Sequence, residues 1–524
     1  MTDASQPQPN NQPKAKPKAL TAVIERVGRR IPDPILIFMS LYPIGLIITA
    51  LLGGLEFQTA GASGEPTTHV IKKMYETENV RWIFDNALLN NWLGFGGGVL
   101  GVILVVTLAI GVAEHSGLLT AIIKRIALRL PKSLLPILLV FLGILSSLAA
   151  DAGYLILIPL AGLLYASIGQ NPLIGMAAAF AGVSAGFSAN LLPGTPIDVI
   201  VGLNAKIFAE SQGVPFTDVN GKPLNPATMN YYFILASSFL LAAVGAWVTV
   251  KFVKPRLENR PYQIPEGINF EEFVVTPAER RGMKFAAVGL LVASLVLAGF
   301  IFGPLRTYTN AAGAKVTPFL TNIILLIALF FAIVGIFFGV GSDKFKRPKD
   351  VVDAMVKQMN TIGYILVLTF FCYNFLGLLS YSGLGTYITF LGAEALLATG
   401  AQEYPILLLV GFVLTTAIIN LFVGGLTSKW MLLGPIFVPM LYFVNPEMTP
   451  DRVAAAYRVA DSCTNVITPM MSYAGIILAF MRKYQPDLNL GEMIFMMLPY
   501  SIAFLISWTL LLVGFFTFNI PMGF

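Results

Sequence analysis

Five charged side chains stand inside otherwise apolar stretches: Asp151, Asp198, Lys429, Arg458 and Asp461. A charge at the centre of a membrane-spanning helix costs at least about 2.5–3.5 kcal/mol on insertion scales, so such residues are read first as functional. Arg458 and Asp461 are spaced i, i+3 and share a helix face, so they can pair. That pair is either a structural tie between helices or part of a site. Asp461 and Asn465 are spaced i, i+4. A carboxylate stacked on an amide carbonyl suits a hard monovalent cation such as sodium, which takes oxygen ligands. Asp198 follows Pro193-Gly194-Thr195-Pro196, and is either a helix cap or a polar group facing a cavity. Asp151 reads as an N-cap for 152–167 or as a hairpin-tip group. Lys429 lies near a hairpin tip and reads as a snorkelling side chain. Trp430 is either an interface anchor or a wall on which an aromatic substrate stacks.

Other chemistries find little support. The only histidines, His69 and His115, exclude a His-built metal site. No Ser–base or reactive Cys arrangement points to an intramembrane enzyme. No Walker-type loop is present, so ATP is not the energy source.

These residues sit in a chain of 524 residues that is 56% apolar and 12% charged. That charged fraction is about half of what a soluble domain carries, so the chain is one polytopic membrane protein. The net charge of +6 is spread over loops and does not mark a nucleic-acid binder. Cys372 and Cys463 lie in apolar segments and read as reduced thiols. Residues 1–30 form a Pro-, Gln- and Lys-rich cytoplasmic tail without a signal peptide, and 31–518 form one transmembrane domain.

A helix needs about 20 apolar residues to cross a bilayer. Candidate spans are 33–55, 94–116, 172–202, 230–250, 284–303, 319–341, 359–380, 453–481 and 494–518. The segments 134–167 and 405–443 are apolar but interrupted, and read as re-entrant hairpins. Nine spans put every dense Lys/Arg cluster on the cytoplasmic side, with a cytoplasmic N-terminus and an external C-terminus. The helices 172–202 and 453–481 are themselves broken, at Asn190 to Asp198 and around Asn465 and Pro469. The fold class is therefore an all-α membrane protein with nine transmembrane helices and two re-entrant hairpins.

The interrupted segments repeat. Pro159 and Asn190 are 31 residues apart, Pro435 and Asn465 are 30 apart, and each interval holds an Ala-Ala-Ala run. The charge pattern starts 134–167 from the cytoplasm and 405–443 from outside. Equivalent units with opposite entry sides form an inverted-topology repeat, and paired broken helices mark the binding site of a secondary transporter. Unwound backbone inside a membrane is tolerated only when buried in protein or lining a cavity.

At these residues the sequence resembles the p-aminobenzoyl-glutamate transporter (AbgT) family. The matching stretches include Gly111–Gly117, Asp151–Leu160, Ala179–Leu192, Asn420–Gly424, Ser428-Lys429-Trp430, Pro435–Met440, Tyr457–Ser462 and Thr464–Pro469. The resemblance implies a homodimer in a bacterial inner membrane that moves p-aminobenzoyl-glutamate, p-aminobenzoate-like compounds or sulfonamide antimetabolites. A proton or sodium gradient, or both, would drive it. The resemblance assigns substrate binding to Asp198, Asn420, Thr427, Ser428, Trp430, Pro450, Arg458 and Asp461, and a bound sodium ion to Asp461 and Asn465. Thr427 stands where the family has Ser, and the prolines around Gly194 depart from its usual pattern. The competing reading is a sodium-coupled dicarboxylate or citrate-type carrier, which would have no need of an aromatic wall at Trp430.

Overall fold

The computed structural model describes residues 33–60, 66–127, 134–149, 153–264, 275–309, 315–360, 362–422, 425–468, 471 and 473–524. The tail 1–30, Asp151 and Pro469 lie outside the described residues.

Apolar runs become helices because every backbone N–H and C=O can then be satisfied within the segment. The first helix, α1 (Pro34–Leu52), starts where the Asp33 side chain accepts the Ile35 N–H. An antiparallel hairpin of β1 (Glu56–Ala60) and β2 (Pro66–Val70) follows, then α2 (Thr77–Asn86). Next come α3 (Phe95–His115) and α4 (Leu118–Ala127). The first interrupted segment gives two short helices, α5 (Leu135–Leu145) and α6 (Gly153–Ser167). The first broken helix is α7 (Pro172–Ala185), an irregular stretch, and α8 (Pro196–Glu210).

Three longer helices follow, α9 (Tyr231–Leu257), α10 (Pro277–Phe302) and α11 (Ile323–Gly341), with the short hairpin of β3 (Tyr308–Thr309) and β4 (Lys315–Val316) between the last two. Then come the amphipathic α12 (Pro348–Asn360), α13 (Gly363–Ser382) and α14 (Leu384–Leu397). At the start of α12, the backbone N–H groups of Arg347 and Lys346 donate to Asp350 and hold its carboxyl below the usual carboxylate range. The second interrupted segment gives α15 (Pro405–Asn420) and α16 (Leu426–Val444), and the second broken helix gives α17 (Pro450–Thr464) and α18 (Ala474–Arg482). The last helix is α19 (Leu490–Thr517).

Among the described residues, seven helices are long and apolar enough to cross a membrane: α1, α9, α10, α11, α13, α16 and α19. The chain is thus a multi-pass helical membrane protein. Two details depart from the sequence reading. The structure is not purely helical, because Glu56–Ala60 pairs with Pro66–Val70 and Tyr308–Thr309 with Lys315–Val316, each antiparallel. The second concerns the length of α16, an arm of the second interrupted segment. Its 19 residues are long enough to span, despite Pro435 and Pro439 within it.

Position within the bundle follows side-chain polarity. In α1 and α10 only 17% of the span is buried, so these helices sit at the periphery. All 15 residues of α17 are buried, although it carries Asp451, Arg452, Arg458 and Asp461. Residues Pro172–Ala185 of α7 are likewise all buried. The broken helices therefore form the centre. The order of a short helix pair followed by helix, break and helix occurs twice, and its polar contacts correspond. Asn190 in the first break donates to Ser147 beyond α5 at 3.0 Å. Asn465 in the second accepts from Asn420 at the end of α15 at 3.1 Å.

Close packing of α5 on α7 depends on glycine. A Cβ on Gly182 would lie 2.1 Å from the Val140 carbonyl oxygen and 3.0 Å from the Gly143 Cα. Both are backbone atoms that cannot rotate away. Gly182→Ala is expected to destabilise the protein by about 1–3 kcal/mol through overpacking, read as a lower thermal midpoint in detergent. An unchanged midpoint would mean that α5 and α7 do not touch there.

Candidate functional site

The first break ends in a helix cap. The Thr195 side chain accepts the Asp198 N–H at 3.3 Å, while Asp198 Oδ2 accepts from Thr195 N at 2.9 Å and from its hydroxyl at 2.8 Å. A carboxylate in the first turn of α8 also suits the positive end of the helix dipole. This accounts for one oxygen. The other, Oδ1, lies 2.6 Å from an Arg458 guanidinium nitrogen, with both side chains almost fully buried. Asp198 is therefore both the N3 partner of the Thr195 cap and the partner of a charge on the other broken helix. Arg458 donates further to the Ser188 carbonyl at 2.8 Å, and Ser462, one turn along, accepts the Ser188 N–H at 3.2 Å. One face of α17 thus holds the unwound backbone of the first break, whose polar groups would otherwise be costly in the bundle.

The second charge pair lies near the tip of the second helix pair. Gly425, with φ +82°, turns the chain into α16. That backbone region favours glycine. It places Lys429 in the first turn, where its Nζ lies 2.6 Å from Asp461 Oδ1; their side-chain exposures are 0% and 1%. Asn420 also takes a hydrogen bond from the ammonium through its Oδ1. The Asn420 amide donates to Asp461 O at 2.5 Å, Thr464 Oγ1 at 2.7 Å and Asn465 Oδ1 at 3.1 Å.

The expected Arg458–Asp461 pairing is corrected by this arrangement. Each partners a residue from another element, Arg458 with Asp198 and Asp461 with Lys429. Two long side chains on one helix face can meet, but each carboxylate here already has a cation delivered from across the bundle. The snorkelling assignment of Lys429 is corrected as well, since its ammonium is turned inward. The signal was available: a lysine within a broken apolar run, with an aspartate on the facing broken helix.

Trp430 is not an interface anchor. It is wholly buried, and its indole N–H donates to the Val201 carbonyl of α8 at 3.0 Å. Tyr457 covers it at a centroid distance of 4.6 Å and Phe208 packs edge-on at 5.8 Å. The Tyr457 hydroxyl donates to the Leu426 carbonyl at 2.5 Å, tying α17 to the start of α16. In this conformation Trp430 supports the site from behind and does not line an open wall.

The structure thus brings Asp198, Asn420, Trp430, Arg458, Asp461 and Asn465 to neighbouring points. Ser428 is buried and donates to the Gly425 carbonyl at 3.2 Å, while Thr427 is half-buried beside it. Pro450 is not part of this cluster. It is the first residue of α17, and eight residues of helix place it about 12 Å along the axis from Arg458. Sequence reasoning singled out Lys429 but read it as snorkelling, and gave no role to Ser188, Ser462 and Tyr457.

The oxygens of Asp461, Asn420, Thr464 and Asn465 fit a hard monovalent cation by donor chemistry. The Lys429 ammonium stands among them. Cys372 and Cys463 are buried free thiols. Beside the first break, an apolar cavity of 550 Å³ is lined by Leu142, Leu145, Leu191, Leu290 and Phe331, with Arg125 among its lining residues.

Residues 19–524 match the model of the AbgT putative transporter family. The chain is 28% identical over 506 residues to the p-aminobenzoyl-glutamate transport protein of Escherichia coli (strain K12), covering 95% of each. The solved YdaH transporter of Alcanivorax borkumensis matches with a TM-score of 0.84 and 35% identity, over 94% of this chain and 100% of that one. MtrF of Neisseria gonorrhoeae, described with a class of antimetabolite efflux pumps, matches with a TM-score of 0.83 and 33% identity, over 94% and 97%. With its polar residues gathered where two broken helices meet inside an apolar bundle, and with this match along nearly its whole length, the chain belongs to the AbgT family of transporters and is not an enzyme.

Proposed function

We propose that the protein is a secondary active transporter for small aromatic anions of the p-aminobenzoyl-glutamate and p-aminobenzoate type, or for sulfonamide antimetabolites. A proton gradient, a sodium gradient or both drives it. The observation that carries this reading is the pair of buried charge contacts, Asp198–Arg458 and Lys429–Asp461, at the junction of the two breaks. Each contact joins an element of one repeat half to the other or a hairpin arm to a broken helix. A change in either would move the elements relative to one another. The substrate's anionic end would engage Arg458 and its amine Asp198, with Thr427 and Ser428 close to the same tip. The cavity beside Leu191 and Leu192 is of a size that typically takes small organic ligands, and would accept the ring. The names of the relatives, an aminobenzoyl-glutamate transporter and an antimetabolite pump, support this substrate class over dicarboxylates.

The same reading includes nine transmembrane helices with two re-entrant hairpins in an inverted repeat, a cytoplasmic N-terminus, a homodimer and a bacterial inner-membrane location. Asp461 and Asn465 would take the coupling sodium ion, an oxygen donor set suited to it. The test uses one preparation of vesicles, loaded or bathed with labelled p-aminobenzoyl-glutamate or a labelled sulfonamide. Movement of either that collapses with the ion gradient is expected. Gradient-driven movement of citrate or succinate without the aromatic compounds would overturn the substrate assignment.

A further inference from the structure

We propose that Lys429 is a tethered cation seated at the coupling-ion site, so that an external monovalent cation binds by displacing its ammonium from Asp461. This rests on the ion-coupled reading above and adds a residue and a rule of exchange to it.

The first ground is geometry. The Lys429 Nζ lies 2.6 Å from Asp461 Oδ1, with 0% and 1% of the side chains exposed. The same ammonium donates to Asn420 Oδ1, and Asn420 bonds Asp461 O, Thr464 Oγ1 and Asn465 Oδ1. Asn420 thus ties together a set of oxygens from α15 and α17, and the positive charge standing beside them comes from the chain itself.

The second ground is the placement of both charges on their own helices. Lys429 occupies the first turn of α16, whose unpaired N–H groups make it the positive end. Asp461 occupies the last turn of α17, the negative end. Each is misplaced with respect to its own helix, and the contact between them offsets that. With the lysine away, the end of α17 presents the buried Asp461 carboxylate beside the Asn420 and Asn465 amide oxygens and the Thr464 hydroxyl, an environment that demands a cation.

The third ground is the choice of side chain. Lysine carries a compact charge on a flexible four-carbon stem, whereas arginine binds a carboxylate through a rigid two-point fork. A stem that can leave while Asp461 stays suits exchange. Asp461 then always has a cation, either the lysine or the transported ion, and the carboxylate is never left bare as the elements move.

The experiment measures labelled sodium binding to the purified full-length protein, with thermal midpoints in sodium chloride against choline chloride at equal ionic strength. Lys429→Gln is expected to bind sodium about tenfold more tightly or better, because the buried competing charge is gone, and to gain a larger sodium-dependent rise in midpoint. Lys429→Arg keeps the charge and is expected to bind sodium more weakly than the unaltered protein. The double variant Lys429→Gln/Asp461→Asn should show no sodium dependence. Equal sodium affinity in the unaltered protein, Lys429→Gln and Lys429→Arg would overturn the exchange while leaving ion-coupled transport standing. Absence of sodium binding in the unaltered protein and in Lys429→Gln would overturn both the exchange and the sodium assignment. If Lys429→Gln fails to fold, Lys429→Arg decides: sodium affinity at the unaltered level overturns the proposal.

Discussion

Arg458→Met is expected to abolish transport and to destabilise the protein by about 3–5 kcal/mol, the usual consequence of removing one partner of a buried ion pair. The size follows from what remains. Asp198 Oδ2 keeps its bonds to Thr195, but Oδ1 loses the guanidinium 2.6 Å away and is left in a residue that is 4% exposed. The Ser188 carbonyl, within the first break, loses its donor at the same time. Asp198→Asn should do comparable damage from the other side, since the Arg458 charge would then be buried alone. The double variant Asp198→Asn/Arg458→Met should recover most of the thermal midpoint, because replacing a buried pair by neutral groups of similar volume is often neutral or favourable. Transport should not recover. Thermal unfolding in detergent and vesicle flux, measured on all three variants, check this. A double variant that recovers transport with stability would show that the pair is only a structural tie.

Trp430→Ala is expected to cost about 3–5 kcal/mol, the range for truncating a large aromatic side chain in a packed core. The indole fills space between α8, α16 and α17, against Phe208 and Tyr457, and donates to Val201. Trp430→Phe keeps part of that volume and gives up the hydrogen bond, so it should lose only about 0.5–1.5 kcal/mol. Binding of an aromatic anion, measured by calorimetry, should weaken in step with stability, because the residue acts through the position of α8 and Tyr457. If Trp430→Ala weakened aromatic binding and left the thermal midpoint unchanged, the indole would instead be a wall of the substrate site.

The sequence by itself determined that the chain crosses a membrane several times, where its apolar segments break, and which side chains had to be accounted for. Insertion cost makes Asp198, Arg458 and Asp461 conspicuous without any coordinates. The matched spacing of Pro159 to Asn190 and Pro435 to Asn465 marked two equivalent units, and within each a corresponding contact, Asn190 to Ser147 and Asn465 to Asn420, ties the break to the preceding helix pair. Spacing along one helix, however, reports only which side chains share a face. It made Arg458 and Asp461 natural partners, whereas each pairs with a charge from a segment more than thirty positions away along the chain. Lys429 shows the same limit. A lysine at the edge of an apolar run has one sequence signature whether its stem reaches the interface or turns inward. The turn at Gly425 and the approach of α17 decide between the two, and both depend on how helices distant in sequence pack. Trp430 was equally open, an anchor or a wall, until the packing of α8 and α17 enclosed it. Charge, polarity and helix periodicity are local properties that a sequence carries in full. Which cation meets which carboxylate is set by the desolvation of both at one place, and that place exists only once the two repeats have folded against each other.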